Sequence, residues 1–247
     1  DQVESIEILK GASSTLYGTG AATAVINIKL KEASKKKVNI NLRSTVGTNR
    51  SSEDKSYAFE DFRNSISVNG TIDKLSYLAS FGLQSTDGLS AIENTTESDK
   101  FKSNNGNLKL NYKFNNKFSL KAYTSFDNYD ADFDDSFGMM DADNLSKSNQ
   151  YRIGLSPEYK YNNGTVVLNA AYNDVEREIE SDFPSKFNAQ SIVLDAFNRY
   201  NFNDKFYTVV GVNYQKNTME SFSIPFGETD FSQAINPDNA TFSITDP

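Results

Sequence analysis

From residue 38 onward apolar and polar side chains alternate one for one, and no other feature of the chain narrows its fold so far. Val38, Ile40, Leu42 and Val46 fall on one side of the first such segment, while Asn39, Asn41, Arg43 and Thr45 fall on the other. A repeat of two places successive side chains on opposite faces of an extended strand, so each segment has one greasy and one wet face. The pattern returns in Phe62 to Val68, Leu75 to Leu83, Leu108 to Phe114, Phe118 to Phe126, Tyr151 to Tyr161 and Val166 to Tyr172. It is less clean in Ile192 to Phe202 and Phe206 to Tyr214, whose second faces carry Val193, Phe197 and Val209. About nine strands are expected, and the fold class is all-β.

The links between these segments sort the all-β folds. Asp73-Lys74, Asn115-Asn116, Asn162-Asn163-Gly164 and Asn203-Asp204 have the residues of tight hairpin turns. Between them lie long polar segments, Thr48 to Glu60, Thr86 to Ser103, Asp127 to Asn149 and Ile179 to Ala189, so short and long links are expected to alternate. A soluble sandwich has no reason to alternate its connections, whereas a membrane-spanning barrel has tight turns on one rim and long loops on the other. Phe114, Phe118, Tyr161, Phe202 and Phe206 flank the short turns, as an interfacial aromatic girdle does. After Met219 no period is legible, and Ser221 to Pro247 reads as a loop with Pro225, Pro237 and Pro247.

Composition removes most chemistry. With 0 Cys and 0 His, disulfide scaffolds, thiolate or imidazole metal sites, Cys nucleophiles and Ser-His-Asp arrangements are excluded. A net charge of −8 argues against a nucleic-acid partner, whose phosphates it would repel. No apolar run reaches the length of a membrane-spanning helix, and the mean hydropathy of −0.58 is that of many soluble proteins. Transmembrane barrels are the exception to that inference, because lumen-facing residues dilute the lipid-facing ones.

Ahead of the alternating region, Val3 to Gly11, Leu16 to Ala21 and Val25 to Ile28 read as a strand, a glycine-punctuated turn and a second strand. Gly11, Gly18 and Gly20 suit a tight connection. A phosphate-cradling loop is disfavoured, since neither a Gly-Lys-Ser/Thr ending nor GxGxxG spacing is present. Lys29 to Lys37 follows as a basic joint, either a solvated linker or a hand-over to the first alternating strand.

The order Val-Glu-Ser-Ile-Glu-Ile-Leu-Lys-Gly, then Leu-Tyr-Gly-Thr-Gly-Ala, then Val-Ile-Asn-Ile resembles the end of the plug domain of TonB-dependent outer-membrane transporters. It departs from the family pattern at Ala12, where a proline is common, and at Ala24, where a glycine is common. The resemblance implies the C-terminal part of a plug over 1–34 and the N-terminal part of a transmembrane antiparallel β-barrel over 35–247. About nine strands of roughly 22 would be present. Asp1 opens the chain with neither an initiator Met nor a signal segment, and an excerpt of a longer protein is expected. The implied activity is uptake of a scarce, bulky ligand across the outer membrane of a Gram-negative bacterium, not enzymatic catalysis. A TonB-type energy-coupling protein, outer-membrane lipid and a surface lipoprotein are the implied partners. Glu4, Glu7 and Lys10 are placed to pair with Arg43 or Arg63, as plugs are held in their barrels.

The richest polar cluster runs from Asp127 to Asp135 and on to Asp141 and Asp143. Calcium takes several oxygen ligands in irregular geometry, and a solvated acidic loop is the other reading of the same residues. The runs 122–131 and 210–218 are similar to barrel segments of the vitamin B12 receptor branch, whose loops are ordered by calcium. That likeness implies Asp130, Asp132, Asp134 and Asp135 as calcium ligands, with Asp127 and Asp143 in reserve, and a cobalamin-type corrinoid as cargo ahead of a ferric siderophore. Phe133, Phe137, Met139 and Met140 stand as apolar residues in a polar segment. They are candidates for ligand contact or for packing against a neighbour. A structural or adhesive barrel that transports nothing is the rival reading.

Overall fold

The computed structural model describes residues 3–11, 23–50, 58–90, 92, 98–135, 140–203, 205–224 and, for the backbone, 241–246. It contains two sheets. A hairpin pairs β1 (Val3–Lys10) with β2 (Ala24–Leu30). The second sheet has ten antiparallel strands in sequence order. These are β3 (Asn39–Gly47), β4 (Asp61–Ile72), β5 (Leu75–Thr86), β6 (Phe101–Lys113), β7 (Phe118–Asp135), β8 (Met140–Tyr161), β9 (Gly164–Glu180), β10 (Ser185–Asn203), β11 (Phe206–Ser223) and β12 (Thr241–Asp246). The nine alternating segments are β3 to β11, each with its expected neighbours. β12 lies in the stretch read as a loop, and pairs with Gln215 to Glu220.

Side-chain chemistry accounts for the turns. Asp73 takes φ of 51°, a left-handed backbone that Asp tolerates. The Asn115 Oδ1 accepts from the backbone N–H of Lys117 (2.8 Å) and of Phe118 (2.9 Å). Asn203 repeats this with Lys205 (3.0 Å) and Phe206 (2.9 Å). In the hairpin, Gly11 has φ of 106° and its N–H bonds Thr23 O at 2.8 Å, while Gly18 and Gly20 lie outside the described residues.

The apolar sides of the strands form one belt. Leu75 to Leu83, Phe118 to Phe126, Tyr151 to Tyr159 and Phe206 to Tyr214 each span about nine residues, the length a tilted strand needs to cross a bilayer. Beside the tight turns Tyr112, Phe114 and Phe118 form one run of ring contacts (4.7 and 5.1 Å), and Tyr161, Tyr200, Phe202 and Phe206 form another (6.3, 4.7 and 5.4 Å). Much of the greasy face is exposed and the rest half-buried, Leu42 at 75% and Val212 at 73%. Its solvent is therefore not supplied by this chain.

Two expected long loops are strand instead. β7 continues to Asp135, and β8 resumes at Met140; β9 reaches Glu180, and β10 resumes at Ser185. The links expected at Asp127 to Asn149 and Ile179 to Ala189 shrink to residues 136–139 and 181–184, so short and long links do not strictly alternate. At 3.3 to 3.4 Å per residue the 22-residue β8 runs about twice as far as a bilayer crossing requires. β7 to β11 thus extend well past the belt on the side away from the tight turns.

Residues 34–37 tie the hairpin to the large sheet. Ser34 N donates to Asn69 Oδ1 (3.0 Å), Thr71 Oγ1 to Ser34 O (2.9 Å), Thr71 N to Lys36 O (2.8 Å) and Tyr77 OH to Lys37 O (2.9 Å). A Cβ on Gly70 would stand 2.1 Å from Lys37 O, so the close approach depends on that glycine. The backbone of the joint is bonded to β4 and β5, while the Lys35 to Lys37 side chains stay exposed to solvent.

Candidate ligand-binding site

The polar face of the large sheet is an amide and hydroxyl ladder on which the hairpin lies. Asn107 Nδ2 donates to Ser80 Oγ (2.7 Å), Ser156 Oγ to Asn169 Oδ1 (2.7 Å), and Asn169 Nδ2 to Asp195 Oδ2 (3.0 Å). Gln150 Nε2 and Arg152 Nε share Asn173 Oδ1 at 3.0 and 3.1 Å. A 700 Å³ cavity lies between hairpin and sheet, lined by Glu4 and Lys31 on one side and Asn39, Arg43, Ser67 and Leu78 on the other. Glu4 bridges Lys29 within the hairpin (3.1 Å), Glu7 accepts from Asn27 (3.2 Å), and Arg63 holds Asp61 (3.1 Å). Of the expected pairings, Glu4 and Arg43 are brought to the same cavity.

Above the belt the polarity of β7 and β9 inverts. On β9, Val166, Leu168, Ala170 and Tyr172 share the apolar face, but from Asp174 onward that same face carries Glu176, Glu178 and Glu180, and Val175 and Ile179 are opposite. β7 changes likewise: after Phe126 the belt side carries Asn128, Asp130 and Asp132, while Tyr129, Ala131 and Phe133 face the hairpin side. The register lines these positions up across strands. Tyr129 stands opposite Ser148, Ser148 opposite Arg177, and Arg177 opposite Phe187. The Arg177 guanidinium donates to Tyr129 OH at 2.6 Å over the buried Ser148, and Phe101 stacks on Tyr129 at 6.0 Å. Strand backbone holds these side chains, so the surface is preorganised: aromatic faces and hydroxyls around one guanidinium.

The outer side of the extensions is a charge ladder. Lys102 pairs in register with Asp130, Asp130 with Lys147, Lys147 with Glu178, and Glu178 with Lys186. Lys147 bonds Glu180, and Lys186 reaches Glu176 at 3.1 Å and Glu178 at 3.7 Å. The Glu180 hydrogen bond is the main cause that raises the Lys147 pKa from its ordinary 10.5. The four expected calcium ligands sit on or beside this ladder. Asp132 Oδ2 accepts from Lys100 N (3.3 Å), and Asp134 accepts from Ser90 Oγ (3.1 Å) and Ala142 N (3.4 Å). Asp135 pairs with Met140 across the strand ends. Extended backbone splays Asp130, Asp132 and Asp134 by about 6.7 Å per step, and among the described residues no group of acids converges as a cation cage.

No family model matches the chain, and no curated protein matches it in sequence. Solved structures do match. The ferric enterobactin receptor PfeA of Pseudomonas aeruginosa (a G324V mutant) superposes with a TM-score of 0.72 at 14% identity, over 98% of this chain and 40% of that one. The ferric yersiniabactin uptake receptor FyuA of Yersinia pestis gives 0.65 at 15% identity, over 99% and 39%. The copper transporter OprC gives 0.72 at 11% identity, over 96% and 37%. The fold is that of a TonB-dependent receptor barrel.

In a barrel of that fold the hairpin-bearing polar face corresponds to the lumen side and the belt to the lipid-facing side, and the extensions of β7 to β11 form one wall beyond the belt, termed the vestibule wall. The chain spans about two fifths of the length of the structures it matches. Of the apolar residues singled out in the sequence, Phe133 shares the vestibule face with Tyr129, and Met140 is exposed where β8 begins. Phe137 and Met139 lie outside the described residues. Sequence reasoning passed over Tyr129, Arg177, Phe187 and Phe101. A signal was present, since Val175, Arg177 and Ile179 alternate with Asp174, Glu176, Glu178 and Glu180, but the greasy member is the odd-numbered one, out of phase with Val166 to Tyr172.

Proposed function

We propose that the chain belongs to a TonB-dependent receptor that takes up a bulky, apolar-faced anionic ligand across the outer membrane of a Gram-negative bacterium. Residues 1–34 are read as the end of its plug and 35–247 as the first part of its barrel, with a TonB-type protein supplying the energy. The polarity inversion above the belt carries this reading. A wall that turns aromatic faces and a single guanidinium inward, and charge outward, is built to hold something in the vestibule. An exposed aromatic surface of this kind is the common mark of a binding site.

Ferric siderophores are the cargo class this lining favours, because such chelates offer negative charge for Arg177 and flat or apolar groups for Phe101, Tyr129 and Phe187. The likeness to receptors named for ferric enterobactin and ferric yersiniabactin supports it. A cobalamin-type corrinoid is the second reading, supported by Phe133 on the same wall. Titration of the full-length receptor with a panel of ferric siderophores and with cobalamin separates the two. Saturable siderophore binding weakened by Arg177→Gln supports the first, and corrinoid binding alone overturns it. Calcium at Asp130, Asp132, Asp134 and Asp135 belongs to the corrinoid reading. The hydrogen bonds that Asp132 and Asp134 make favour a role in pinning the strand extensions, and a saturable rise in melting temperature on adding calcium would restore the calcium role.

A further inference from the structure

Below the vestibule the lumen wall holds a second cationic centre. A 430 Å³ cavity is lined by Lys109 of β6 and Arg152 of β8, with Ser67, Ser125, Tyr123 and Asn107 around them and Leu30 of the hairpin above. Among the described residues no carboxylate lines it. Lys109, Tyr123 and Gly154 form one register row, and Asn107, Ser125 and Arg152 form the next. Two strands and two residues separate the cations, about 12 Å between Cα atoms, so both long side chains reach a group held between them. Among the described residues neither makes an ion pair within 4.0 Å. Asp127, one row above Arg152 and sharing a separate 200 Å³ cavity with it, stays beyond that distance. Asn107 Oδ1 is buried without a hydrogen-bond partner, and Asn107 lines the same cavity. A Cβ on Gly154 would stand 2.4 Å from the Tyr123 ring, which would have to shift.

Two cations facing one cavity, with no counter-ion among the described residues, repel each other and gain from an anion placed between them. We propose that Lys109 and Arg152 form an anion-binding station on the lumen wall, which receives the anionic group of the ligand after it leaves Arg177. The geometry suits a transfer: Arg177 lies opposite Ser148, and Ser148 is about 13 Å along β8 from Arg152. The hydroxyls of Ser67 and Ser125 supply neutral hydrogen bonds at the station. It rests on the uptake reading for its place in a sequence of events, but not for its chemistry.

Inorganic phosphate is the probe. With the full-length receptor in detergent, phosphorus NMR is expected to show saturable broadening of the phosphate line, competed by sulfate. Lys109→Gln and Arg152→Gln are each expected to weaken that binding about tenfold or more, Lys109→Arg to retain it, and Lys121→Gln, on the same wall outside the cavity, to leave it intact. Heat-modifiable gel migration checks that each variant is folded. Absence of saturable phosphate binding, as would follow if an acidic segment of the same receptor occupied the cations, overturns the station. So does binding that survives both Gln substitutions. Phosphate binding without ligand uptake leaves the station standing and removes the uptake reading instead.

Discussion

Leu155 and Ser156 are neighbours in the chain and face different solvents. Leu155 is in the belt, and Ser156 bonds Asn169 on the lumen wall. Leu155→Lys is expected to cost about 2–4 kcal/mol near the bilayer midplane, and Ser156→Lys far less, because only the first brings a charge into hydrocarbon. Reversible unfolding of the full-length receptor in lipid vesicles measures both. Gly70 gives a steric counterpart: with Lys37 O 2.1 Å from where a Cβ would be, Gly70→Ala must displace the joint at residues 34–37. A loss of about 1–3 kcal/mol is expected, together with faster protease cleavage near Lys35 to Lys37. In the proposed function, vestibule affinity depends on Arg177. Arg177→Gln is expected to weaken binding of the cognate ferric siderophore tenfold or more, and Arg177→Lys to recover only part of it, since an ammonium lacks the planar fork that Tyr129 and an anion share.

Beyond their backbone pairing, the strand extensions are joined by their charge ladder, since β7 to β10 have no apolar belt at that height. Each opposite-charge pair across strands contributes about 0.2–1 kcal/mol and is screened by salt. Lys147→Glu would set like charges beside Asp130 and Glu178 and is expected to raise amide hydrogen exchange in 140–150 and 173–180 without loosening Tyr151 to Tyr159. The pH dependence has a definite sign. The pKa of Lys147 is raised from 10.5 by its Glu180 bond, against an opposing desolvation and with added attraction from Glu178 and Asp130. The pair's contribution is therefore fully present below pH 10.5 and fades as pH rises through the elevated pKa. Exchange in the extensions is expected to rise there before the belt responds. These elements also show what the sequence could and could not disclose. The segments from Val38 to Tyr214 were legible because lipid on one side and lumen on the other impose a period of two with one greasy face. The extensions kept a strand's period but lost the belt's greasy face, and on β7 and β9 reversed its sense, so a search for one continuing greasy face read them as loops. β12 was missed for another reason: Thr241 to Asp246 follows Pro237 and is short, with too few residues to show a period. The vestibule residues went unseen with the extensions that carry them, whereas Asp130 to Asp135 drew notice by composition alone.

At the scale of the molecule, ten strands form one sheet in sequence order with a separate hairpin on its polar face. A lipid-facing sheet needs every edge paired, because hydrocarbon offers no hydrogen bonds to a strand edge. β3 and β12 are therefore expected to meet further strands in the assembled receptor. The hairpin leaves Ile6 and Ile8 of β1 and Ile26 and Ile28 of β2 on one exposed face. The reading as a whole joins three layers: a belt that fixes the membrane, a vestibule that holds an anionic, apolar-faced ligand, and a lumen wall that passes it on. Uptake by living cells tests that chain of steps most directly. Cells carrying the full-length receptor are supplied with radio-iron-labelled siderophores, with and without a working TonB-type coupling protein. The account predicts accumulation of at least one ferric siderophore that requires the coupling protein and falls at least tenfold in Arg177→Gln. Accumulation of none of them, or accumulation that neither the coupling protein nor Arg177 affects, would contradict it.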